Sequence, residues 1–281
     1  MKHVILIFAV ITGLLSSCRP KDIDINVKPL DPKLVIFSQI VPDQLMLIMV
    51  TKSFSPLEGS MEDNMSTLLV SGAVVKLTCA GQTYEFIELN PGIYTSLVTC
   101  TFAENSVFQM TATKDGETVS STSTVLKQVN FTSVLPEVKK DPSDTNVFLN
   151  VNFTDDPGIA NWYMINVYKK SQTSNPTDIN SFFQNGSNAA AKTVLVSDKE
   201  FSSTYSKKLE LENVLHNDSI VVTLSNINEK YFTFLGLRAG GGSIFSQMNI
   251  EPVNYPSNIV NGYGFFHTYI PDIKFYDLGL Y

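Results

Sequence analysis

From Leu34 onward the chain is a succession of short apolar or alternating segments, each closed by Pro, Gly, Asn or Asp. Leu34–Ile40 and Leu45–Lys52 flank Val41-Pro42-Asp43-Gln44, a hairpin-like connection. Residues 53–72 read as a longer loop. Val74–Cys79 and Thr83–Leu89 flank Ala80-Gly81-Gln82, a second hairpin, and Asn90-Pro91-Gly92 turns the chain into Ile93–Thr99. In Val107–Thr113, Phe108, Met110 and Ala112 point one way and Gln109, Thr111 and Thr113 the other, the period of a half-buried strand. Lys114-Asp115-Gly116 then turns into Glu117–Leu126, rich in Ser, Thr and Val. About seven short strands predict a β-sandwich of immunoglobulin or transthyretin type over residues 34–135.

Residues 136–145 are polar, contain two prolines and predict a linker. Beyond it, Val147, Leu149, Val151 and Phe153 alternate with Phe148, Asn150 and Asn152. Further strands are expected at Asn161–Lys169, Val194–Val196, Lys207–Leu211 and Ser219–Leu224, with a short helix from Asn175-Pro176 through Phe183. One longer helix is expected near 226–239. Asn226 is its predicted cap, Glu229 completes a capping box, and Ile227, Tyr231, Phe234 and Leu235 share a face before Gly240-Gly241-Gly242 stops it. The second domain, 146–281, is thus predicted to be β-rich with one main helix.

The first residues change the picture. Met-Lys-His is followed by an apolar run from Val4 to Leu15, too short for a transmembrane helix and of the length of a signal peptide's apolar region. Leu15-Ser16-Ser17-Cys18 places small residues directly before a cysteine and resembles a bacterial lipobox, in which the cysteine is diacylated, cleaved and N-acylated. The competing reading is an ordinary secretory signal with a chance cysteine; the order of charge, apolar run, small residues and Cys favours the lipobox. Residues 1–17 are then a signal peptide and 18–33, polar with three prolines, a lipidated tether. The formal charge of −7 becomes −8 once Lys2 is removed. An acidic chain whose only arginines are Arg19 and Arg238 has no electrostatic footprint for nucleic acid.

Little in the sequence points to chemistry. Gly-x-Ser-x-Gly and His-Glu-x-x-His are both missing, and the chain beyond Cys18 has only His216 and His267. No enzyme, metal or cofactor is expected. Asp155-Asp156-Pro157-Gly158 reads as a strand-ending turn rather than a calcium loop. Cys79 and Cys100 are either a disulfide, permitted by an oxidising compartment, or two separate buried thiols. Tyr263, Phe265, Phe266 and Tyr269 belong to an aromatic-rich stretch that reads mainly as core of the second domain. A minor exposed share would make these four candidates for partner binding. Asp218-Ser219-Ile220 resembles the O-glycosylation signal of exported Bacteroidota proteins, with Ser219 as acceptor.

Five segments together resemble a Bacteroidota outer-membrane lipoprotein family known as domain of unknown function 4249. They are Lys33–Ile40 after the proline tether, Gly72–Leu77, Pro91-Gly92-Ile93-Tyr94, Asn161-Trp162-Tyr163 after the Asp-Pro turn, and Ser257–Phe266. The resemblance implies a lipoprotein of the outer membrane and a neighbouring TonB-dependent transporter as partner, and Lys21-Asp22-x-Asp24, which resembles a surface-export signal, points to the cell exterior. It implies no catalytic residues. The expected function is a non-enzymatic accessory or ligand- and partner-binding module of such an uptake system, held on the membrane by N-terminal lipid. The alternative is a structural or adhesive surface lipoprotein without a transported ligand.

Overall fold

Alternation of apolar and polar positions becomes strand after strand in the computed structural model, which describes residues 31–54, 67–141, 144–170, 190, 192–212, 214–239 and 255–281. The first seven strands are β1 (Leu34–Ile40), β2 (Leu45–Lys52), β3 (Val74–Cys79), β4 (Gln82–Asn90), β5 (Ile93–Thr99), β6 (Val107–Lys114) and β7 (Glu117–Thr124). They pair in the order β1-β2-β5-β4-β3-β6-β7. Strand β4 is the corner: residues 82–85 pair with β3 and residues 86–90 with β5. One face of this curled sheet carries the core, including Ile36, Ile48, Leu77, Tyr94, Phe108 and Met110.

The eighth strand of the sheet comes from far along the chain. Strand β14 (Tyr263–Thr268) lies parallel to β1, with Gly264 opposite Ile36 and Phe266 opposite Ser38. On its other side the segment reaches β7. Ser120 and Val260 exchange backbone hydrogen bonds, and the Thr268 N–H donates to Ser123 Oγ at 3.1 Å. The sheet thereby closes almost to a barrel. Close approach requires glycine here: a Cβ on Gly264, whose φ is +100°, would lie 2.0 Å from the Ile36 carbonyl oxygen.

The second body is a sandwich. Strands β8 (Phe131–Asp141), β9 (Asp144–Thr154) and β12 (Thr204–Leu211) form a three-stranded sheet in the order β12-β9-β8. Strands β10 (Trp162–Lys170), β11 (Lys192–Ser197), β13 (Ser219–Ile227) and β15 (Asp272–Asp277) form a four-stranded one in the order β11-β10-β13-β15. Their facing sides share a core of Val147, Leu149, Val151, Phe153, Tyr163, Ile165, Val222 and Leu224 with their neighbours. The expected β-rich architecture is therefore present, with two corrections. Residues 136–141 and 144–145 are no linker but paired strand near the turn end of the β8–β9 hairpin, with Val138 opposite Val147. Pro136 is tolerated because β8 is an edge strand, where one backbone donor is not required. The aromatic C-terminal stretch does not complete the second body alone, since β14 joins the first sheet and β15 the second.

Helix α1 (Glu229–Ala239) packs in the seam between the bodies. Tyr231 and Phe234 meet Phe265 and Tyr269 from the first sheet's outer side and Met164 and Ile227 from the four-stranded sheet. Its cap is Asn228, not Asn226, which is still in β13: Asn228 Oδ1 accepts the Tyr231 N–H at 2.8 Å. That bond fixes the amide, so Asn228 Nδ2 donates to His267 Nδ1 at 3.3 Å and the ring proton rests on Nε2. His267 is completely buried, stacked on Tyr231 at 4.3 Å and on Tyr269 at 5.4 Å. Burial holds its pKa down at about 3. The expected helix at 176–183 and the Gly240–Gly242 stop lie outside the described residues.

Two outcomes are expected. Gly264→Ala should destabilise the protein by more than about 3 kcal/mol in urea denaturation, through both the clash and the backbone angle. His267 has a folded pKa below its unfolded value of about 6.5, so the unfolded chain binds the extra proton between the two. Its contribution is complete above pH 6.5 and is lost as the pH falls towards 3, at up to about 1.4 kcal/mol per pH unit. His267→Phe should flatten that part of the stability–pH curve; parallel wild-type and variant curves would contradict the assignment.

Candidate functional site

The clearest concavity lies where the first body's leading hairpin meets the outer face of the four-stranded sheet. It has a volume of about 250 Å³. The β1–β2 turn, Val41 to Gln44, forms one wall; Tyr168, Val221, Thr223 and Ile273 form the other, and Tyr269 and Pro271 line it beside them. The placement follows from strand alternation. Val221 and Thr223 point away from the sandwich core because Ile220, Val222 and Leu224 point into it.

The turn is held firmly. Asp43 has a positive φ of 61°, its N–H donates to the Cys100 carbonyl at 3.0 Å, and its carboxylate accepts from Thr101 Oγ1 at 2.5 Å. Tyr269 donates its hydroxyl to Gln39 Oε1 at 2.8 Å and its N–H to the Ile40 carbonyl at 3.1 Å. Burial pushes the Tyr168 and Tyr269 hydroxyls well above the usual phenol range, so both are neutral at any physiological pH. The cleft offers apolar and aromatic walls with a few hydroxyl and amide groups and one carboxylate. Such a lining suits a small, largely apolar ligand with a polar end.

A second surface is apolar and open. Leu45, Ile87, Leu89, Leu97 and Val98 are exposed on the neighbouring strands β2, β4 and β5. Leu97 leaves 69% of its surface in solvent. Ile87 pairs with Thr95, two residues before Leu97, so Ile87 and Leu97 share a face while Val98 points to the other. Exposed apolar side chains that share a sheet face are candidates for an interaction surface. No signal in the sequence distinguished these positions from core, since strands with both faces apolar read the same either way.

The residues singled out from the sequence fall in different places. Phe265, Phe266 and Tyr269 are buried, at 1%, 0% and 3% exposure, and are unavailable to a partner. Of the four aromatics only Tyr263 is exposed, with Lys33 Nζ 5.6 Å from its ring centre. Ser219 opens β13, paired with Lys170 on one side and Asp277 on the other, and is half-buried. Its neighbour Asp218 is buried and ion-paired with Lys169 at 2.9 Å. Cys79 and Cys100, by contrast, come together inside the first body. Asp155 and Asp156 are engaged locally: Asp155 accepts from the Tyr163 hydroxyl and from Asn161 Nδ2, and Asp156 pairs with Lys127 at 2.7 Å. Among the described residues no three His, Cys, Asp or Glu side chains gather where they could hold a metal ion, and no helix is long and apolar enough to cross a membrane. Cys18 lies outside the described residues.

No curated protein matches this chain. Among solved structures it is similar to a chain of a cytokine receptor complex at 5% identity, covering 70% of this chain and 85% of that one with a TM-score of 0.24. A Salmonella alpha-2-macroglobulin variant matches at 11% identity, 76% of this chain, 15% of that chain and a TM-score of 0.23. A DUF4785 family protein from Legionella pneumophila matches at 8% identity, 67% of this chain, 48% of that chain and a TM-score of 0.20. Residues 20–272 match the family described as Domain of unknown function (DUF4249), and with nearly the whole body from tether to last strand inside that match, the chain belongs to the DUF4249 family.

Proposed function

We propose that this protein is a lipid-anchored, non-enzymatic accessory module of an outer-membrane uptake system, facing the cell exterior and binding a TonB-dependent transporter as its partner. The observation that carries the partner-binding reading is the set of exposed apolar side chains on three adjoining strands, with Ile87 and Leu97 on a common face. The Leu15-Ser16-Ser17-Cys18 lipobox supports the anchor, and the proline-bearing tether of residues 18–33 leads directly into β1. Fully extended, a tether of that length reaches roughly 50 Å, enough to bring the apolar surface to a neighbouring membrane protein. The cleft beside Tyr269 supplies a place for a small ligand in the same reading. A structural or adhesive lipoprotein would use the anchor and the surface but would have no transporter bound.

Two experiments test the reading. Cys18→Ser should leave unlipidated protein that no longer sediments with membranes; retention of wild-type lipid mass by the variant would sink the anchor. Affinity capture from detergent-solubilised outer membrane, read by mass spectrometry, should recover a TonB-dependent transporter. Ile87→Asp together with Leu97→Asp should reduce that recovery at least tenfold with the melting temperature shifted by no more than a few degrees, because both side chains are exposed and share a face. Recovery of the lipoprotein with no transporter favours the structural reading.

A further inference from the structure

Three inward-facing groups meet at one end of the curled sheet. Cys79 ends β3, Tyr84 lies on β4, and Cys100 follows β5. All three are buried, with Cys79 at 6% and Cys100 at 4% exposure. The Tyr84 hydroxyl donates to the Cys100 sulfur at 3.1 Å, and Cys79 lies diagonally across the β3–β4 ladder from Tyr84 on the same inward face, in one core cluster with Cys100. The Cys100 carbonyl in turn accepts the Asp43 N–H, so the turn that lines the cleft hangs on this residue. Both thiols are free in this structure.

Strands β3 and β5 are not neighbours, since β4 lies between them and turns the corner of the sheet. No backbone ladder ties them directly. A covalent link between Cys79 and Cys100 would therefore fasten two parts of the sheet that are otherwise joined only through β4 and through core packing. The two cysteines are not far apart in the core, because both flank Tyr84 in one buried cluster.

We propose that Cys79 and Cys100 are a disulfide-forming pair that locks the corner of the first body. The chemistry is thiol–disulfide exchange with a small-molecule or protein disulfide as oxidant. One thiolate attacks the oxidant's disulfide and releases one reduced thiol. The second thiolate then attacks the mixed disulfide, forms the Cys79–Cys100 bond and releases the other. Two protons leave the protein thiols and two reduced thiols leave the oxidant. Burial, followed by the neighbouring Cys100, pushes the Cys79 thiol up, and the hydrogen bond to Cys100 pushes the Tyr84 hydroxyl up to about 12. In the closed fold both groups are protonated at neutral pH, so exchange belongs to the stage before the core shuts.

The occurrence of the bond in the cell rests on the proposed export; the capacity to form it does not. The test accordingly has two arms, both on the full lipoprotein purified in detergent. In the first, envelopes are lysed in an alkylating reagent, and peptides are mapped without reduction. A linked Cys79–Cys100 peptide pair is expected. In the second, reduced protein is unfolded and refolded in a buffer of oxidised and reduced glutathione. The pair should close, and reduction of the closed protein should lower its melting temperature by about 5–10 °C. Cys79→Ser should melt with the reduced wild type and should leave Cys100 open to alkylation after unfolding. Both cysteines alkylated in protein from the envelope and still reduced after refolding in oxidising glutathione would overturn the proposal. Closure in the buffer with free thiols in the envelope would support the pair and count against an oxidising location.

Discussion

The fold depends on one close approach, that of Gly264 to the backbone of Ile36. Strand β14 can lie parallel to β1 only because the residue opposite Ile36 has no side chain. Gly262 repeats the constraint one step earlier, where a Cβ would lie 2.5 Å from the Leu34 carbonyl oxygen and 2.8 Å from Val119 Cγ1. Gly262 lies in the turn that leads into β14 and Gly264 within the strand, and at both glycines a side chain would meet the backbone of β1. They let the strand settle between β1 and β7 and close a sheet that would otherwise present two long unpaired edges. The side-chain bonds around them, Ser121 Oγ to the Asn258 carbonyl at 2.8 Å and Ser123 Oγ to Thr268 Oγ1 at 2.8 Å, then satisfy polar groups that closure buries.

From that strand the seam between the bodies follows. Phe266 points into the curled sheet, while Phe265 and His267 point out of it and under α1. Asn228 ends the approach to the helix and holds it to His267, so the helix is positioned from both ends of one amide. A buried imidazole is an expensive choice at this place, since it must remain neutral to stay. Its stacking on Tyr231 and Tyr269 and its single bond from Asn228 show what it offers in return: a flat ring with a polar edge at a junction of three elements.

How much of this was legible in the sequence can be judged element by element. Val147, Leu149, Val151 and Phe153 alternate with polar partners, and alternation reports a half-buried strand faithfully, so β9 was readable. The same held for β6. Pro136 hid β8, because a proline argues against a central strand and the sequence does not say which strands are edges. Tyr263 to Tyr269 read mainly as core of the second domain, yet Phe266 packs in the core of the first sheet and Phe265 and Tyr269 pack under α1, with Tyr263 exposed. The helix was readable from its apolar face, whereas its start was displaced because Ile227 serves the seam as a strand residue. Periodicity gives the face of a strand but not its partner, so the sequence left Cys79 and Cys100 open between a disulfide and two separate thiols, and the cleft at Val41–Gln44 had no signal at all.

The destinations of β14 and β15 have a consequence for how the protein comes into being. A ribosome delivers residues in order, and the strands of the first body, 34–124, emerge long before the one that closes it, 263–268. The four-stranded sheet waits in the same way for 272–277. Until those strands arrive, each half that has already formed is left with raw sheet edges, the state in which strands pair with the wrong neighbour. A single stretch of fifteen residues, Tyr263 to Asp277, finishes both halves within moments of each other. The molecule is in this sense assembled from its two halves by its last strands, and a cell that makes it has to keep an open, sticky intermediate apart from its copies until those strands arrive.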